Sequence, residues 1–272
     1  MGLLEVSHCS DRGMVREQNE DAFLVIPPWR EPALSVGACL FAVADGMGGH
    51  SSGEVASWLA VDTLRKRFAR MTSAECSITF MENLFAEANQ AIREHARSHS
   101  ECTGMGTTLT AAMVMGDQAI IGHVGDSRAY LLRDGKLRHL TSDHTLVFEQ
   151  LRLGKLTHDE AMIHPARHIL SRALGVREFV NVDTLLLELV DGDVVCIMSD
   201  GVSGPVSDEK LAQHLSVMPF KGLTGRLVAS ANQFGGPDNA TVVAFRVSGL
   251  PITVPGRLSL DRLRGILSEW LK

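Results

Sequence analysis

The 272-residue sequence has no long hydrophobic run. Its longest unbroken apolar stretch covers residues 38–44, whereas a membrane-spanning helix needs roughly 20 apolar residues. The opening residues MGLLEVSHCSDRG lack both the basic start and the apolar stretch of a secretory signal. Val6 also occupies the position where N-myristoylation requires serine or threonine. We therefore expect a cytoplasmic protein that does not insert into a membrane.

The sequence has no excess of positive charge and no paired cysteine motif. Lysine and arginine number 26 against 32 aspartates and glutamates, and the net charge of -6 disfavours nucleic acid or an anionic membrane as the main partner. The five cysteines are odd in number and never spaced C-x-x-C, which indicates thiols in a reducing compartment rather than disulfides or a zinc site. They are Cys9, Cys39, Cys76, Cys102 and Cys196.

Several well-known catalytic and binding motifs are also missing. No G-K-[ST] or G-x-G-x-x-G nucleotide-binding motif occurs, and Ser203 lies in GVSGP rather than in the G-x-S-x-G of a serine hydrolase. His164 and His168 have the i, i+4 spacing of zinc ligands on a helix. Pro165 lies between them and no third ligand is near, so a zinc site is disfavoured.

The hydrophobic pattern predicts short strands and two long helices. Helical periodicity covers residues 54–71 and 78–95, and turn signals at Asp117, Asp134-Gly135 and Asp191-Gly192 are typical of hairpins. Helices do not follow every strand, which favours antiparallel sheets covered by helices over a parallel sheet. The predicted strands are residues 22–26, 39–44, 108–114, 119–124, 129–132, 182–189, 194–198 and 241–247.

Two segments differ from this strand-rich pattern. Residues 146–174 are charged and helix-like, as expected of an insertion between strands. After GLPITVPG, an apolar stripe predicts a C-terminal amphipathic helix that either packs on the body of the protein or binds a partner. The stripe consists of Leu260, Leu263, Leu267 and Trp270.

Five aspartates lie at the ends of predicted strands. Asp45, Asp126 and Asp200 end apolar runs, Asp238 lies in the turn before the last strand, and Asp21 precedes the first predicted strand. One such aspartate usually caps a turn. Five together repel one another and raise each other's pKa unless cations neutralise them. Oxygen ligands without clustered Cys or His favour magnesium or manganese, so an acidic metal site is predicted.

The segment DGMGGHSSGE, which follows Asp45, is rich in glycine. Gly46, Gly48, Gly49 and Gly53 allow a tight turn and a close approach of the backbone to a ligand before the predicted helix. A backbone carbonyl in such a turn can bind a metal ion. The glycines alone are a weak signal, but they agree with the acidic site.

A set of motifs distributed along the chain resembles a known family. Over about residues 10–247 their order and spacing are similar to those of the bacterial type 2C (PPM) metal-dependent protein serine/threonine phosphatases. The motifs are R16-E-Q-N19-E20-D21, A44-D45-G46-M-G48-G49-H50, G104-M-G106-T107-T108, G125-D126-S127-R128, L140-T-S-D143-H144, S171-R-A-L-G175, S199-D200-G201 and G236-P-D238-N239.

The resemblance implies a fold and a division of the chain. The expected fold is α+β, a four-layer α-β-β-α sandwich of two mostly antiparallel sheets flanked by helices, with the metal site at one end. A phosphatase catalytic domain would span residues 1–248 and include a flap insertion at about 145–175. Residues 249–272 would form a C-terminal extension.

The resemblance also assigns ligands for two metal ions, Mn2+ or Mg2+. Asp45, Asp200 and Asp238 would bind one ion. Asp21, Asp45 and the carbonyl group of Gly46 would bind the second ion, so that Asp45 bridges the two.

Further residues receive supporting roles from the same resemblance. Asp126 would bind a weaker third ion, although Gly204 stands where some members of the family carry an additional acid. Glu20 would act through bound waters, and Asn239 would orient its neighbour. Arg16 resembles the family's phosphate-binding arginine, whose planar guanidinium suits bidentate contact with phosphate.

The expected reaction is hydrolysis of phosphoserine and phosphothreonine in proteins by a metal-activated water. The substrates would be targets of a bacterial Ser/Thr kinase that the enzyme opposes. Eukaryotic members have a histidine, proposed as the proton donor, where this chain has Met47, which leaves nearby His50 as a candidate. An inactive docking module is the alternative, but it predicts a broken metal-ligand set, whereas this sequence retains Asp21, Asp45, Asp200, Asp238 and Arg16. Hydrolysis of a small phosphorylated metabolite is disfavoured only by the resemblance.

Overall fold

The computed structural model describes residues 3–27, 37–48, 52–72 and 75–249. The strands in these ranges are β1 (Leu3–Asp11), β2 (Asp21–Ile26), β3 (Ala38–Met47), β4 (Gly106–Thr107), β5 (Leu109–Met115), β6 (Gln118–Val124), β7 (Arg128–Arg133), β8 (Lys136–His139), β9 (Asp183–Glu188), β10 (Val194–Met198) and β11 (Ala240–Ser248). The helices are α1 (Ser52–Phe68), α2 (Ile78–Ser98), α3 (Leu146–Arg152), α4 (His158–Ile163), α5 (Asp200–Ser203), α6 (Asp208–Ser216) and α7 (Leu223–Gln233), with a 3-10 turn at Ser100–Cys102.

The strands form two sheets in which the paired strands run antiparallel. One sheet has the order β1-β11-β10-β7-β8. The other has the order β2-β3-β5-β6-β9, and the short strand β4 pairs with β3. This arrangement confirms the prediction of antiparallel sheets.

Three hydrophobic clusters separate four layers. The first seven residues of strand β3, 38–44, are all apolar because successive side chains point to opposite faces of the sheet and both faces are covered. Leu40 packs towards α1 and α2, while Phe41 lies between the two sheets and stacks on Phe245 with ring centroids 4.7 Å apart. On the far side, α6 and α7 cover the second sheet through Leu211 and Leu227. The four-layer α-β-β-α sandwich predicted from the resemblance is thus confirmed.

The turn at Asp191-Gly192 does not close a hairpin, contrary to the prediction. Strands β9 and β10 belong to different sheets, so this turn carries the chain from one sheet to the other. Asp193 fixes the crossing, because its buried carboxylate accepts from Arg133 Nε and Nη2 at 2.8 and 2.6 Å and from the Val190 amide at 2.8 Å. An ion pair between a buried carboxylate and a partly exposed arginine therefore holds the crossing.

The structure contains elements that the sequence pattern did not predict. Strand β1 pairs along its whole length with β11, and helices α5, α6 and α7 follow β10. Residues 146–174, which were predicted to be helix-like, contain the short helices α3 and α4. The single bridges from Leu170 to Thr145 and from Leu174 to Thr107 were not predicted. The predicted C-terminal amphipathic helix lies outside the described residues. In the described part of the chain, no helix is long and apolar enough to span a bilayer.

Candidate active site

The five strand-end aspartates come together at one end of the sandwich. Asp21 begins β2 and lies directly opposite Asp45 near the end of β3. Asp200 follows β10 as the first residue of α5, Asp238 lies two residues before β11, and Asp126 lies two residues after β6. A cleft of about 800 Å³ opens here, and all of these aspartates except Asp21 line it.

The backbone around Asp45 is fixed by neighbouring elements. Its amide donates to the Thr108 hydroxyl at 2.9 Å, and its carbonyl oxygen accepts from the Thr108 amide at 2.9 Å and the Thr107 hydroxyl at 2.8 Å. The next residue must be glycine, because a Cβ at Gly46 would overlap the carbonyl group of Gly53 in α1. Helix α1 thus packs directly against the turn that carries Asp45.

Asp21 has one satisfied oxygen and one unsatisfied oxygen. Its Oδ2 accepts from the Ser199 hydroxyl at 2.8 Å, while its buried Oδ1 has no hydrogen-bond partner among the described residues. Burial raises the pKa of Asp21 to about 7; hydrogen bonds from Thr241 and Ser199 oppose this rise, and the nearby Asp200 and Asp238 add to it. A buried carboxylate oxygen without a donor is a place that a cation can occupy.

The neighbouring carboxyls are perturbed for the same reasons. Burial, followed by repulsion from Asp21, Asp200, Asp126 and Asp238, raises the pKa of Asp45 well above its usual value. Burial, followed by the proximity of Asp200, raises the pKa of Asp126 to about 7. A group of carboxyls that resists full ionisation binds hard divalent cations well, because the cations remove the repulsion. The donor chemistry therefore fits magnesium or manganese.

The aspartates also contact positive or polar groups of the chain itself. Arg16 Nη2 donates to Asp238 Oδ2 at 2.7 Å, and His168 Nδ1 lies 3.7 Å from Asp200 Oδ2. In the described residues, no three His, Cys, Asp or Glu side chains are grouped so that they could hold a metal ion as they stand. A bound cation would therefore compete with Arg16 and His168 for carboxylate oxygens.

Asn239 organises the loop that carries Arg16 and Glu20. Its side-chain oxygen accepts from the Glu20 amide at 2.8 Å, and its Nδ2 donates to the Arg12 and Gln18 carbonyl groups at 3.0 and 2.8 Å. Glu20 lines the cleft, and burial raises its pKa, an effect that the positive charge of Arg16 partly opposes. Asn239 thus holds a whole loop in place, not only its neighbour Asp238.

His144 fixes the turn that carries Asp126. Its amide donates to the Gly125 carbonyl oxygen at 2.7 Å, and its Nδ1 accepts from the Gly125 amide at 3.0 Å. The Nδ1 atom is therefore unprotonated, and the proton on Nε2 points to Asp183 Oδ2 at 3.1 Å. Arg172 donates to the other oxygen of Asp183 at 2.7 Å, which connects the Asp126 turn to the cleft wall.

The structure adds residues to the site that sequence analysis missed. His168 lies at the cleft beside Asp200, whereas His164 accepts from the Ala166 amide, so the two histidines do not share a ligand position. Arg177 and Phe179 line the same cleft. No short-range signal marks these residues, because the flap and the chain after it bring them there. His50, the candidate proton donor, lies outside the described residues.

Comparison with known sequences identifies the family. A family model described as Protein phosphatase 2C matches residues 15–233. The chain belongs to the protein phosphatase 2C family. It is 38% identical over 239 residues to the serine/threonine phosphatase stp of Listeria innocua, covering 86% of this chain and 92% of that protein. It is 40% identical over 248 residues to the serine/threonine protein phosphatase PstP of Mycobacterium tuberculosis, covering 90% of this chain and 45% of PstP.

Solved structures give the same result for this protein phosphatase 2C chain. The serine/threonine phosphatase PstP/Ppp of Mycobacterium tuberculosis superposes with a TM-score of 0.82 at 36% identity, covering 92% of this chain and 100% of that one. The catalytic domain of PstP in complex with two manganese ions gives a TM-score of 0.80 at 35% identity with the same coverage. The agreement in fold and sequence makes this chain a metal-dependent protein phosphatase.

Proposed function

We propose that the chain hydrolyses phosphoserine and phosphothreonine in proteins at the aspartate-lined cleft. The observation that supports this most directly is that five strand-end aspartates meet at one end of the sandwich and four of them line the cleft. Asp21 has an unsatisfied buried oxygen, and burial together with repulsion between the carboxyls raises the pKa of Asp21 and Asp45. Family membership supplies the class of reaction, and the cleft supplies the oxygen ligands that hard cations prefer.

Two divalent ions, Mn2+ or Mg2+, would be held by the aspartates. Asp45, Asp200 and Asp238 would hold one ion, and Asp21, Asp45 and the Gly46 carbonyl group the other. When bound, such a pair supplies a water of lowered pKa as the nucleophile and stabilises charge on the phosphoryl oxygens. Asp126, fixed through Gly125 by His144, is proposed to hold a weaker third ion.

Arg16 would bind the phosphate group of the substrate. Its side chain is 50% exposed at the cleft, and its guanidinium already contacts the oxygen anion of Asp238. A phosphate group offers the same acceptor chemistry with more charge, so it can replace Asp238 as the partner of Arg16 when metal ions hold that carboxylate. Arg16 would thereby orient the phosphorus atom, while Asn239 keeps the Arg16 loop in place.

The proposed substrates are phosphoproteins, among them targets of a Ser/Thr kinase that the enzyme opposes. Residues 145–175 would form the flap of the catalytic domain, because α3 and α4 lie there and its last residues line the cleft. A cytoplasmic location agrees with five free cysteines, of which Cys39, Cys102 and Cys196 are buried.

The test is phosphate release from a phosphothreonine peptide by the purified full chain. Activity is expected with added manganese or magnesium and is expected to disappear when excess chelator is added. Circular dichroism in both conditions shows that the loss of activity is not a loss of the fold. Folded protein that releases no phosphate with either metal would contradict the proposal and favour the docking-module alternative.

A further inference from the structure

Part of the cleft is lined by a short segment that begins at the last residue of the flap. This segment, residues 175–181, is called the outer wall here. Arg177, Phe179 and Asn181 of the outer wall line the cleft together with the aspartates. Arg177 and Asn181 also line an adjoining depression of about 600 Å³, so the wall extends beyond the acidic centre.

One buried side chain of helix α2, Asn89, holds the backbone of the outer wall in place through hydrogen bonds. Asn89 of α2 is 3% exposed, and its Oδ1 accepts from the Gly175 amide at 2.7 Å. Its Nδ2 donates to the carbonyl groups of Arg177 and Glu178 at 3.0 and 3.1 Å. All three hydrogen bonds go to the backbone, so the side chains of Arg177 and Phe179 remain available to a ligand.

The outer wall exposes an aromatic side chain, Phe179, and an arginine, Arg177, to solvent. The Phe179 side chain is 84% exposed, although an aromatic ring of this size gains free energy by burial. Arg177 is exposed and has no ion-pair partner among the residues that the structure describes. Arg172, which also lines the cleft, differs because Asp183 occupies its guanidinium at 2.7 Å. The outer wall therefore offers one free positive charge and one bare aromatic surface.

We propose that the outer wall is a selectivity surface for phosphoprotein segments with an acidic side chain and an apolar side chain close to the phosphorylated residue. The acidic side chain would pair with Arg177, and the apolar side chain would pack on Phe179. This inference rests on the proposed function, because it places the phosphate group at the aspartate-lined end of the same cleft. The argument is charge complementarity between the substrate and the outer wall. Arg177 has no carboxylate partner in the described residues, so its positive charge is free to pair with an acidic side chain of the substrate.

The experiment compares phosphothreonine peptides that differ only in the residues beside the phosphothreonine. One flanking position at a time carries Glu, Gln or Lys, and the ratio of kcat/KM values for the Glu and Lys peptides is measured with manganese. A ratio within one protein preparation cancels differences in folded fraction and overall turnover. We expect the wild-type chain to favour Glu about 3- to 10-fold at one or more positions, as for a partly exposed ion pair.

Charge reversal of Arg177 is the decisive variant. Arg177→Glu is expected to invert the ratio in favour of Lys peptides, and Arg177→Lys is expected to keep the wild-type direction. Arg138→Glu is the matched control, because Arg138 is an exposed arginine of β8 that borders neither the cleft nor the depression. A ratio that is the same in Arg177→Glu as in the wild type, or that inverts equally in Arg138→Glu, would overturn the inference.

The aromatic half of the surface has its own test. Phe179→Ala is expected to raise KM several-fold for peptides with Leu beside the phosphothreonine relative to peptides with Ser there. Phe234→Ala is the control, since Phe234 is 50% exposed and lies outside the cleft. Equal KM ratios in both variants would remove Phe179 from the surface. If the wild-type chain releases no phosphate from any peptide, the proposed function has failed, whereas release without charge preference means that this inference alone has failed.

Discussion

Two parts of the cleft lining differ in how they are built: at the acidic side, carboxyl groups are crowded at strand ends, whereas at the outer wall a segment of backbone is hydrogen-bonded to Asn89. At the acidic side, Asp21 keeps an unsatisfied buried oxygen, and burial together with repulsion from neighbouring carboxyls raises the pKa of Asp45. At the outer wall, both polar atoms of Asn89 have partners. The acidic side thus needs cations from outside the chain, while the wall is complete without any ligand.

This difference indicates that one part of the cleft is suited to bind cations and the other to present a fixed surface. Repulsion between carboxyls costs stability at neutral pH that a bound cation recovers without protonation, so the acidic side is suited to ligand binding. The hydrogen bonds of Asn89 stabilise one arrangement of the outer wall at all times. We therefore expect substitutions on the two sides to have opposite profiles of activity and stability.

The largest expected effect comes from Asp45→Asn. Turnover of a phosphothreonine peptide should fall by on the order of 10³-fold or more, because Asp45 is the proposed bridging ligand. The metal-free protein should be as stable as the wild type or more stable by about 1 kcal/mol, since a repelled buried carboxyl becomes a neutral amide of the same shape. Kinetics with manganese and urea unfolding with chelator measure the two quantities.

Asp134→Asn is the matched control for this variant. Asp134 lies in the β7–β8 turn with a φ of 50°, a conformation that asparagine tolerates, and it is remote from the cleft. Its activity and stability should stay at wild-type values. If Asp45→Asn retained most of its turnover, Asp45 would not be a metal ligand. If it lost stability without metal, repulsion would not dominate the energetics of this carboxyl.

A smaller effect is expected in the pH dependence of metal-free stability. The pKa of Asp21 is about 7 in the folded state against an ordinary value of 3.8, so the folded state binds more protons between these values. Its contribution to stability is complete below about pH 4 and is lost as the pH rises through about 7, by on the order of 2–4 kcal/mol. Asp126, with a pKa of about 7, acts in the same direction.

The measurement is the free energy of unfolding from pH 4.5 to 8, with chelator and with saturating manganese. Burial lowers the pKa of His123 to about 3, so His123 acts with the opposite sign up to about pH 6.5, but it does so in both conditions. The stabilisation by manganese should therefore grow as the pH rises towards 8. A stabilisation that is independent of pH would show that protons and metal ions do not compete for these carboxyls.

The gathering of the aspartates at one end of the sandwich could be predicted from the sequence because its signals are local, while their assignment as metal ligands stays a prediction. Each aspartate lies in or within two residues of a strand whose apolar pattern is visible in the sequence, and strand ends meet at the edge of a sheet. The outer wall has no such signal. Asn89 and Gly175 are 86 residues apart in sequence, and nothing in α2 marks Asn89 as different from a polar residue on a helix surface.

The elements missed from sequence have weak patterns for physical reasons. Strand β1 lies at a sheet edge with polar and apolar residues mixed, so its pairing with β11 rather than its own composition makes it a strand. Helix α6 is only nine residues long, and just two of its residues, Leu211 and Leu215, are buried, so its hydrophobic periodicity is short. The turn at Asp191-Gly192 has residues typical of a hairpin turn. It nevertheless connects two different sheets, and the hydrogen-bonded pair of Asp193 with Arg133 holds it in that arrangement.

The smallest expected effect comes from removing the support of the outer wall. Asn89→Ala leaves the Gly175 amide and two carbonyl groups without partners, which should cost about 1–3 kcal/mol of stability. Gln90→Ala, at the neighbouring exposed position of α2, should change stability by less than about 0.5 kcal/mol. Manganese stoichiometry measured by calorimetry should stay at the wild-type value in both variants, because the aspartates do not contact Asn89.

The preference for Glu over Lys peptides should shrink towards unity in Asn89→Ala only, since a mobile backbone no longer presents Arg177 in one place. An unchanged preference in a destabilised Asn89→Ala would mean that Arg177 selects substrates without a rigid wall, and the contrast between the two sides of the cleft would then concern stability alone.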